Sequence, residues 1–234
     1  MARTRLSRHE LKETDEITSF FQTYTEAAVA RKKEIGIAVA AVLGLAVILV
    51  GWRWYSANQN TQAQSLLASA ISAYSDPNIK SEKERFEKTL TAAQKTHDAY
   101  PSITAGRIAQ YYMALSQDGL GDTAKATENL QQVISSGDPD LAGVAKFALA
   151  GIHKKRGESQ KALDLYKQLY DGGGYPKSAV VFEMAKVSEA ANKTDDAKTY
   201  YQKIVTEFPE SPFRQEADDA LKRLGAPAPE QKPS

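Results

Sequence analysis

The sequence predicts an all-α protein in which a single N-terminal transmembrane helix precedes a solenoid of paired helices. Two observations support this fold class. The eighteen residues from Ile35 to Trp52 form one uncharged, apolar run. Beyond residue 56, amphipathic helix patterns alternate with turn residues, almost no strand pattern occurs, and one pattern recurs at spacings of 36 and 35 residues.

The apolar run IGIAVAAVLGLAVILVGW at 35–52 has the length of a membrane-spanning helix, because a hydrocarbon core roughly 30 Å thick needs about 20 helical residues. The alternatives are a cleaved signal peptide and a buried core helix. A signal peptide has a shorter apolar region near the N-terminus, whereas 34 residues precede this run. A core helix of a soluble protein would be interrupted by polar positions. A single anchor is therefore the favoured interpretation.

The distribution of basic residues predicts the orientation of this anchor. Residues 1–34 carry seven Lys and Arg, three of them adjacent to the span at Arg31, Lys32 and Lys33. After Arg53 the next basic residue is Lys80. Lys and Arg are retained on the cytoplasmic side, so we expect a cytoplasmic N-terminus and an exported C-terminal part.

Two sets of residues in the span have predicted roles. Aromatic rings favour the membrane interface and an Arg side chain can extend into the headgroups, which predicts an interfacial collar. Small residues at i, i+4 and i+8 let a second helix approach closely, although Gly and Ala are common in membrane helices anyway. The collar consists of Trp52, Arg53, Trp54 and Tyr55, and the small-residue stripe consists of Gly36, Ala40 and Gly44.

Three segments of the exported part align with one another. They are GDTAKATENLQQV at 121–133, GESQKALDLYKQL at 157–169 and NKTDDAKTYYQKI at 192–204. Each has a turn residue that accepts left-handed backbone angles, and each has small residues where paired helices would touch. The turn residues are Gly121, Gly157 and Asn192, and the small pairs are Ala114/Ala126, Ala150/Ala162 and Ala185/Ala197. This pattern resembles the tetratricopeptide repeat, whose period is about 34 residues.

The repeats are degenerate. Leu130 replaces the aromatic residue that the repeat pattern has in the second helix, and we expect Gly172-Gly173-Gly174 to loosen the second junction. A divergent helix pair at 60–75 and 82–98 is expected before the repeats, and a capping helix at 212–224 after them.

The predicted domains are a cytoplasmic tail at 1–33, the span at 34–55, the repeat domain at 56–225 and a disordered tail at 226–234. The first tail contains an amphipathic helix with Ile17, Phe20, Phe21 and Tyr24 on one side. That helix either leads into the span or lies on the inner leaflet.

Enzymatic chemistry is not indicated. The chain has no cysteine, which excludes a catalytic thiol, a Cys-zinc site and cysteine lipidation. GGGYPKS at 172–178 lacks the two obligatory glycines of a phosphate loop. His97 and His153 are expected to be exposed and have no metal-ligand neighbour at i+3 or i+4. We therefore expect no cofactor, no metal and no small-molecule substrate. The net charge of +1 argues against nucleic acid as a partner.

A protein-binding surface is the remaining possibility. In tetratricopeptide repeats the first helix of each pair lines the concave face, and here that helix places one aromatic residue three positions before its small alanine. A charged residue follows each of these alanines by four positions. The predicted partner-binding residues are Tyr111, Phe147, Phe182, Asp118, Lys154 and Glu189. The alternative is that the rings pack between successive repeats.

The whole layout resembles the ancillary SecYEG translocon subunit family (YfgM-like). The specific likeness lies in Phe20-Phe21 before the span and in GWRWY at 51–55, where the span ends. This resemblance implies a bacterial inner-membrane protein with its repeat domain in the periplasm. It further implies a non-enzymatic module that binds translocon subunits, periplasmic chaperones or exported chains and assists their hand-off. The alternative is a scaffold for envelope assembly or cell division.

Overall fold

The computed structural model describes residues 31–225, apart from the side chain of Ile35, and this part of the chain is all helical, as predicted. The amphipathic helix expected in the N-terminal tail and the tail at 226–234 lie outside the described residues. The helices in this range are α1 (Lys32–Ser75), α2 (Glu82–Ala99), α3 (Thr104–Gly119), α4 (Thr123–Ile134), α5 (Pro139–Lys155), α6 (Ser159–Gly172), α7 (Lys177–Ala190), α8 (Thr194–Glu207) and α9 (Arg214–Arg223).

The chain divides into two compact units between Gln59 and Asn60, inside α1. In the first unit, the large apolar side chains from Ile37 to Tyr55 are each more than half exposed. Among the described residues, α1 is the helix that is long and apolar enough to cross a membrane. Its exposed apolar surface is of the kind that lipid covers.

The second unit begins with the last part of α1 and contains the helices α2 to α9. Side-chain caps set several helix starts. Ser81 accepts a hydrogen bond from the Glu84 amide at the start of α2, and Asp138 accepts one from the Leu141 amide at the start of α5. Pro139, which needs no backbone donor, occupies the first turn of α5.

Helices α3/α4, α5/α6 and α7/α8 are the three predicted helix pairs. Their turns place Gly121, Gly157 and Asn192 at φ values of 87°, 73° and 58°. Asn192 is the one residue other than glycine with positive φ in the described range. The prediction that these positions take left-handed backbone angles is confirmed.

The paired alanines are buried between the two helices of each repeat. All six have no exposed surface, so the backbones approach as closely as a methyl group permits. They are Ala114 and Ala126, Ala150 and Ala162, and Ala185 and Ala197. The residue four positions after the second alanine is also buried in each repeat: Leu130, Tyr166 and Tyr201.

The two flanking elements also form as expected. Ala63, Leu67 and Ala70 of α1 pack against α2 and α3 in one apolar cluster. At the other end, Ala217, Ala220 and Leu221 of α9 cover the last repeat. The outward face of α9 carries charged side chains, so the solenoid ends on a surface that water solvates.

The glycine run, which the sequence predicts to loosen the second junction, makes a close backbone contact there. Gly174 lies directly against Gly143 of α5, where an added Cβ would come within 2.1 Å of the Gly174 carbonyl oxygen. Gly173 and Gly174 have φ values of 78° and 83°, which only glycine adopts without strain. The run therefore permits a close backbone contact across the junction.

Candidate functional site

The first helices of the three repeats, α3, α5 and α7, carry the predicted aromatic residues at equivalent positions. Tyr111 and Phe147 are half-buried, whereas Phe182 is 4% exposed. We call the surface of α3, α5 and α7 that carries these rings the A-helix face. A partner can therefore reach less of the Phe182 ring than of the other two.

Two of the three rings pack between helices in the same way. Phe147 contacts the edge of Tyr166 on α6, with ring centroids 5.4 Å apart, and stacks on Tyr175 at 3.9 Å. Phe182 contacts Tyr201 on α8 at 6.2 Å and stacks on Phe213 at 4.7 Å. Each ring thus fills the space between its own repeat and the start of the next helix, which supports the packing alternative for Phe182 in particular.

Tyr111 has a different environment. It packs against the apolar cluster that contains Leu130 and Leu141, and its ring meets Tyr112 edge-on at 5.7 Å. Burial raises the pKa of the Tyr111 hydroxyl to about 12, and the nearby Tyr175 and Tyr74 add to this effect. No stacked ring covers Tyr111 among the described residues. Tyr111 therefore lacks the stacked ring that covers Phe147 and Phe182.

The predicted charged residues each form an ion pair with a neighbouring helix. Lys155 of α5 contacts Asp118 of α3 at 2.7 Å, and Lys154 contacts Glu183 of α7 at 2.5 Å. Glu189 of α7 pairs with Arg223 of α9. These pairs link α3 to α5, α5 to α7 and α7 to α9. A partner would therefore meet charges that are already compensated.

Glu189 has a second partner within its own repeat. The Tyr201 hydroxyl donates a hydrogen bond to Glu189 Oε2 at 2.9 Å. The Arg223 guanidinium and this hydrogen bond hold the pKa of Glu189 below its ordinary value. The carboxylate thus ties the second helix of the last repeat to the capping helix.

Sequence reasoning did not identify Tyr175, Phe213, Lys155, Glu183 or Arg223 as members of this face. Tyr175 and Phe213 precede the helices α7 and α9, so their side chains reach back over the previous repeat. The signal available in the sequence was the aromatic residue near each helix start. The ring that each of these aromatic residues contacts depends on how the helices pack, which the sequence alone does not specify.

The histidines are not exposed, which corrects the expectation from the sequence. His97 is half-buried, with Nδ1 3.1 Å from the Gly106 carbonyl oxygen. His153 is also half-buried, with Nδ1 2.8 Å from Glu158 Oε2. Both rings thus have structural partners. Among residues 31–225, no three His, Asp or Glu side chains cluster in a way that would hold a metal ion.

The span residues are exposed along α1. Gly36 and Gly44 have open space at the Cβ position, and Ala40 on the same stripe is exposed. Trp52 and Trp54 are 70% and 73% exposed, and Arg53 and Tyr55 are also exposed. Their predicted roles in helix packing and at the membrane interface stay predictions.

Comparison with known proteins decides the family. The tetratricopeptide repeat-like domain family matches residues 32–226, which is most of the chain. The chain belongs to this family. Tetratricopeptide repeat-like domains generally serve protein–protein interaction and are typically not enzymes. The family match therefore supports a protein-binding role for the second unit.

Solved structures with a similar fold include nearly identical TPR-like repeats from a Podosopora anserina protein described as a kinesin light chain. Two such structures, one of them of a point variant, have a TM-score of 0.55 and 15% identity to this chain. They cover 70% of this chain, which in turn covers 84% and 85% of theirs. At this identity the likeness shows the fold alone. No curated protein matches the chain.

Proposed function

We propose that this tetratricopeptide repeat-like protein is a non-enzymatic, membrane-anchored interaction module that acts as an ancillary translocon subunit and assists the hand-off of exported proteins to periplasmic chaperones. One observation carries the proposal: a helix able to span a membrane and a repeat domain of a protein-binding family occur in one chain. The GWRWY stretch at 51–55, which resembles the translocon subunit family, supports the finer assignment.

In this proposal the protein is a single-pass protein of the bacterial inner membrane, with residues 1–33 in the cytoplasm and residues 56–225 in the periplasm. The seven Lys and Arg before residue 35 support this orientation. Residues 34–55 span the bilayer, and the collar from Trp52 to Tyr55 lies at the outer interface. Gly36, Ala40 and Gly44 form the contact with a neighbouring transmembrane helix.

The A-helix face is the proposed partner surface. Tyr111 and Phe147 are half-buried, so part of each ring is available for contact. Phe182 is enclosed by Tyr201 and Phe213, and we assign it a packing role. The charges of Asp118, Lys154 and Glu189 are each compensated by an ion pair, so we assign partner contact to the aromatic rings.

Anchoring explains how a weak binder can act. A repeat domain fixed beside the exit of a translocon meets emerging chains at a high effective concentration without needing tight affinity. Weak binding also allows release to the next factor.

The orientation can be tested directly because the chain has no cysteine. Single cysteines are introduced as Ser7→Cys and Gln64→Cys, and intact spheroplasts are treated with a membrane-impermeant maleimide. We expect labelling at position 64 and none at position 7 until the membrane is permeabilised. Labelling at position 7 alone would reverse the proposed topology.

The partner can be tested by site-specific photo-crosslinking in native membranes. A photoreactive residue at Lys186, which is exposed on α7 one turn after Phe182, reports on the A-helix face. The same residue at Gln168, exposed on α6, is the matched control. We expect SecY and a periplasmic folding factor from position 186 only. Recovery of only division or envelope-assembly proteins would overturn the translocon assignment in favour of a scaffold.

The role of the rings is tested by a pair of alanine variants. Phe147→Ala is expected to weaken partner crosslinking while the domain stays folded, because part of the Phe147 ring is exposed. Phe182→Ala is expected to lower thermal stability first. If Phe147→Ala also unfolds the domain, Phe147 is a packing residue and Tyr111 alone stays as the proposed aromatic contact.

A further inference from the structure

A patch of tyrosines lies at the first end of the repeat domain, beyond the column described above. Tyr74 of α1 meets Tyr112 of α3 edge-on, with ring centroids 5.3 Å apart. Tyr112 in turn meets Tyr111 at 5.7 Å. The three rings are half-buried and form one continuous aromatic surface, which we call the tyrosine patch.

The hydroxyl groups of the tyrosine patch have no hydrogen-bond partner among residues 31–225. Other tyrosines of the domain do: Tyr100 donates to Gln62 at 2.9 Å, and Tyr201 donates to Glu189. A phenolic hydroxyl beside a half-buried ring is a good donor to a carbonyl oxygen of a ligand. The patch therefore offers apolar ring surface together with hydroxyl groups that have no partner among the described residues.

Two of the charged side chains near the patch, Arg85 and Glu183, are already paired. The Arg85 guanidinium lies over Phe86, 5.3 Å from the ring centroid, and it pairs with Glu82 at 3.2 Å. Phe86 in turn contacts Tyr74 at 6.3 Å. On the side of Tyr111, the Glu183 carboxylate raises the pKa of Tyr175. Glu183 is itself paired with Lys154. An occupant is thus selected for apolar surface and carbonyl acceptors, with little contribution from charge.

Proline-rich segments have this chemistry. They adopt the polyproline-II conformation at low entropic cost, present unpaired carbonyl oxygens and bind aromatic grooves. The polyproline-II rise is about 3.1 Å per residue, so residues two apart lie about 6 Å apart along the axis. That spacing is close to the 5.3 Å and 5.7 Å between neighbouring rings of the patch.

The chain itself carries such a segment outside the described residues. APAPEQKPS at 226–234 has three prolines, one Glu and one Lys. The segment follows α9, whereas the patch lies on α1 and α3 at the other end of the repeats. The path from α9 back to α3 crosses three helix-to-helix steps of about 8–10 Å each. Nine residues in an extended conformation are about 28 Å long, so the path uses up nearly their whole length. The segment of the same chain therefore cannot lie along the patch.

We propose that residues 226–234 of a second copy of this chain dock, as a polyproline-II segment, on the tyrosine patch formed by Tyr74, Tyr111 and Tyr112. The proposal deepens the protein-interaction function proposed above and does not depend on the identity of the translocon partner. Docking of this kind joins one copy head-to-tail with the next. A partner with a proline-containing extended segment would displace it.

The test uses the chain shortened to residue 225 in detergent micelles, with the fluorescently labelled nonapeptide APAPEQKPS as the probe. Fluorescence anisotropy is expected to show saturable binding. Tyr112→Ala is expected to weaken the affinity about tenfold or more, as loss of a central aromatic contact does. Tyr112→Phe, which keeps the ring and its contact with Tyr74, is expected to weaken it about threefold. Tyr200→Phe on α8 is the matched control and is expected to have no effect.

A second peptide with all three prolines replaced by alanine is expected not to bind. Raising the salt concentration is expected to change the affinity less than twofold, because no free charge takes part. Absence of saturable binding, equal binding of the alanine peptide, or binding that neither Tyr112 variant weakens would overturn the proposal. If Tyr112→Ala does not fold, the Phe variant decides. Crosslinking of the shortened chain to the translocon distinguishes this proposal from the proposed translocon function. If only the peptide-docking proposal is wrong, that crosslinking persists.

Discussion

Replacing Gly143 with alanine tests whether the second repeat junction is held by a direct backbone contact. An added Cβ at this position would lie 2.1 Å from the Gly174 carbonyl oxygen and 2.8 Å from the Gly174 Cα. Favourable contacts between such atoms occur near about 3.5 Å. The loop or helix α5 must therefore move by more than about 1 Å to accept a methyl group.

Two effects of opposite sign set the magnitude. Overpacking of this kind costs about 1–3 kcal/mol, whereas Gly→Ala inside a helix gains up to about 1 kcal/mol. We expect Gly143→Ala to lower the free energy of unfolding by about 1–2 kcal/mol. Gly151 on the same helix has open space at its Cβ position, so Gly151→Ala should gain about 0.5–1 kcal/mol. The two variants should differ by about 1.5–3 kcal/mol.

Urea unfolding of the full chain in detergent, followed by circular dichroism, measures both variants under the same conditions. Hydrogen exchange of the loop at 173–176 provides a local reading, because Tyr175 follows Gly174 and stacks on Phe147. A displaced loop should alter that signal in Gly143→Ala and leave it unchanged in Gly151→Ala. If Gly143→Ala is as stable as Gly151→Ala, the close contact does not hold the junction, and the glycine run is a loose connection as the sequence suggests.

Three further predictions concern packing, turn geometry and pH. Phe182→Ala should cost about 3–5 kcal/mol in urea unfolding, because the ring is enclosed by Tyr201 and Phe213; a loss below about 1 kcal/mol would contradict its burial. Asn192→Ala should lower the free energy of unfolding by about 1 kcal/mol, because φ at this position is 58°. Asn192→Gly should be neutral in the same assay, and equal effects of the two variants would argue against the left-handed turn. Lys161 and His153 lower the pKa of Glu158 from 4.5 to about 2, so its stabilisation is present above pH 4.5 and is lost as the pH falls through about 2. Glu158→Gln should therefore lower Tm near neutral pH. The difference in Tm between the variant and the unchanged protein should shrink between about pH 4.5 and 2. A difference that persists at pH 2 would rule out this carboxylate as its source.

The repeat fold was predictable because each of its requirements is local. A left-handed turn selects Gly or Asn, and a close helix pair selects alanine, so Gly121, Asn192 and the buried alanine pairs are visible in the sequence. The capping helix was visible in the apolar spacing of Ala217, Ala220 and Leu221. These signals recur with the period of the fold, and recurrence distinguishes them from chance.

The contacts of the candidate site were not predictable in the same way because they join residues distant in the sequence. Phe182 is buried by Phe213, which precedes the next helix. Asp118 pairs with Lys155, which follows the predicted charged residue Lys154 by a single position. A one-position change turns a helical side chain by about 100°, and only the packed structure decides which of two adjacent lysines faces which neighbour.

The three equivalent rings of the repeats differ in the side chains that cover them. Phe182 is covered by the stacked ring of Phe213, and Phe147 by that of Tyr175. Tyr111 packs against the apolar cluster that contains Leu130 and Leu141 and meets Tyr112 edge-on, and no stacked ring covers it among the described residues. The same position in the repeat thus differs in whether a stacked ring covers it. In the first repeat this ring is instead continued by the tyrosine patch onto α1, which is the surface that we propose for peptide docking.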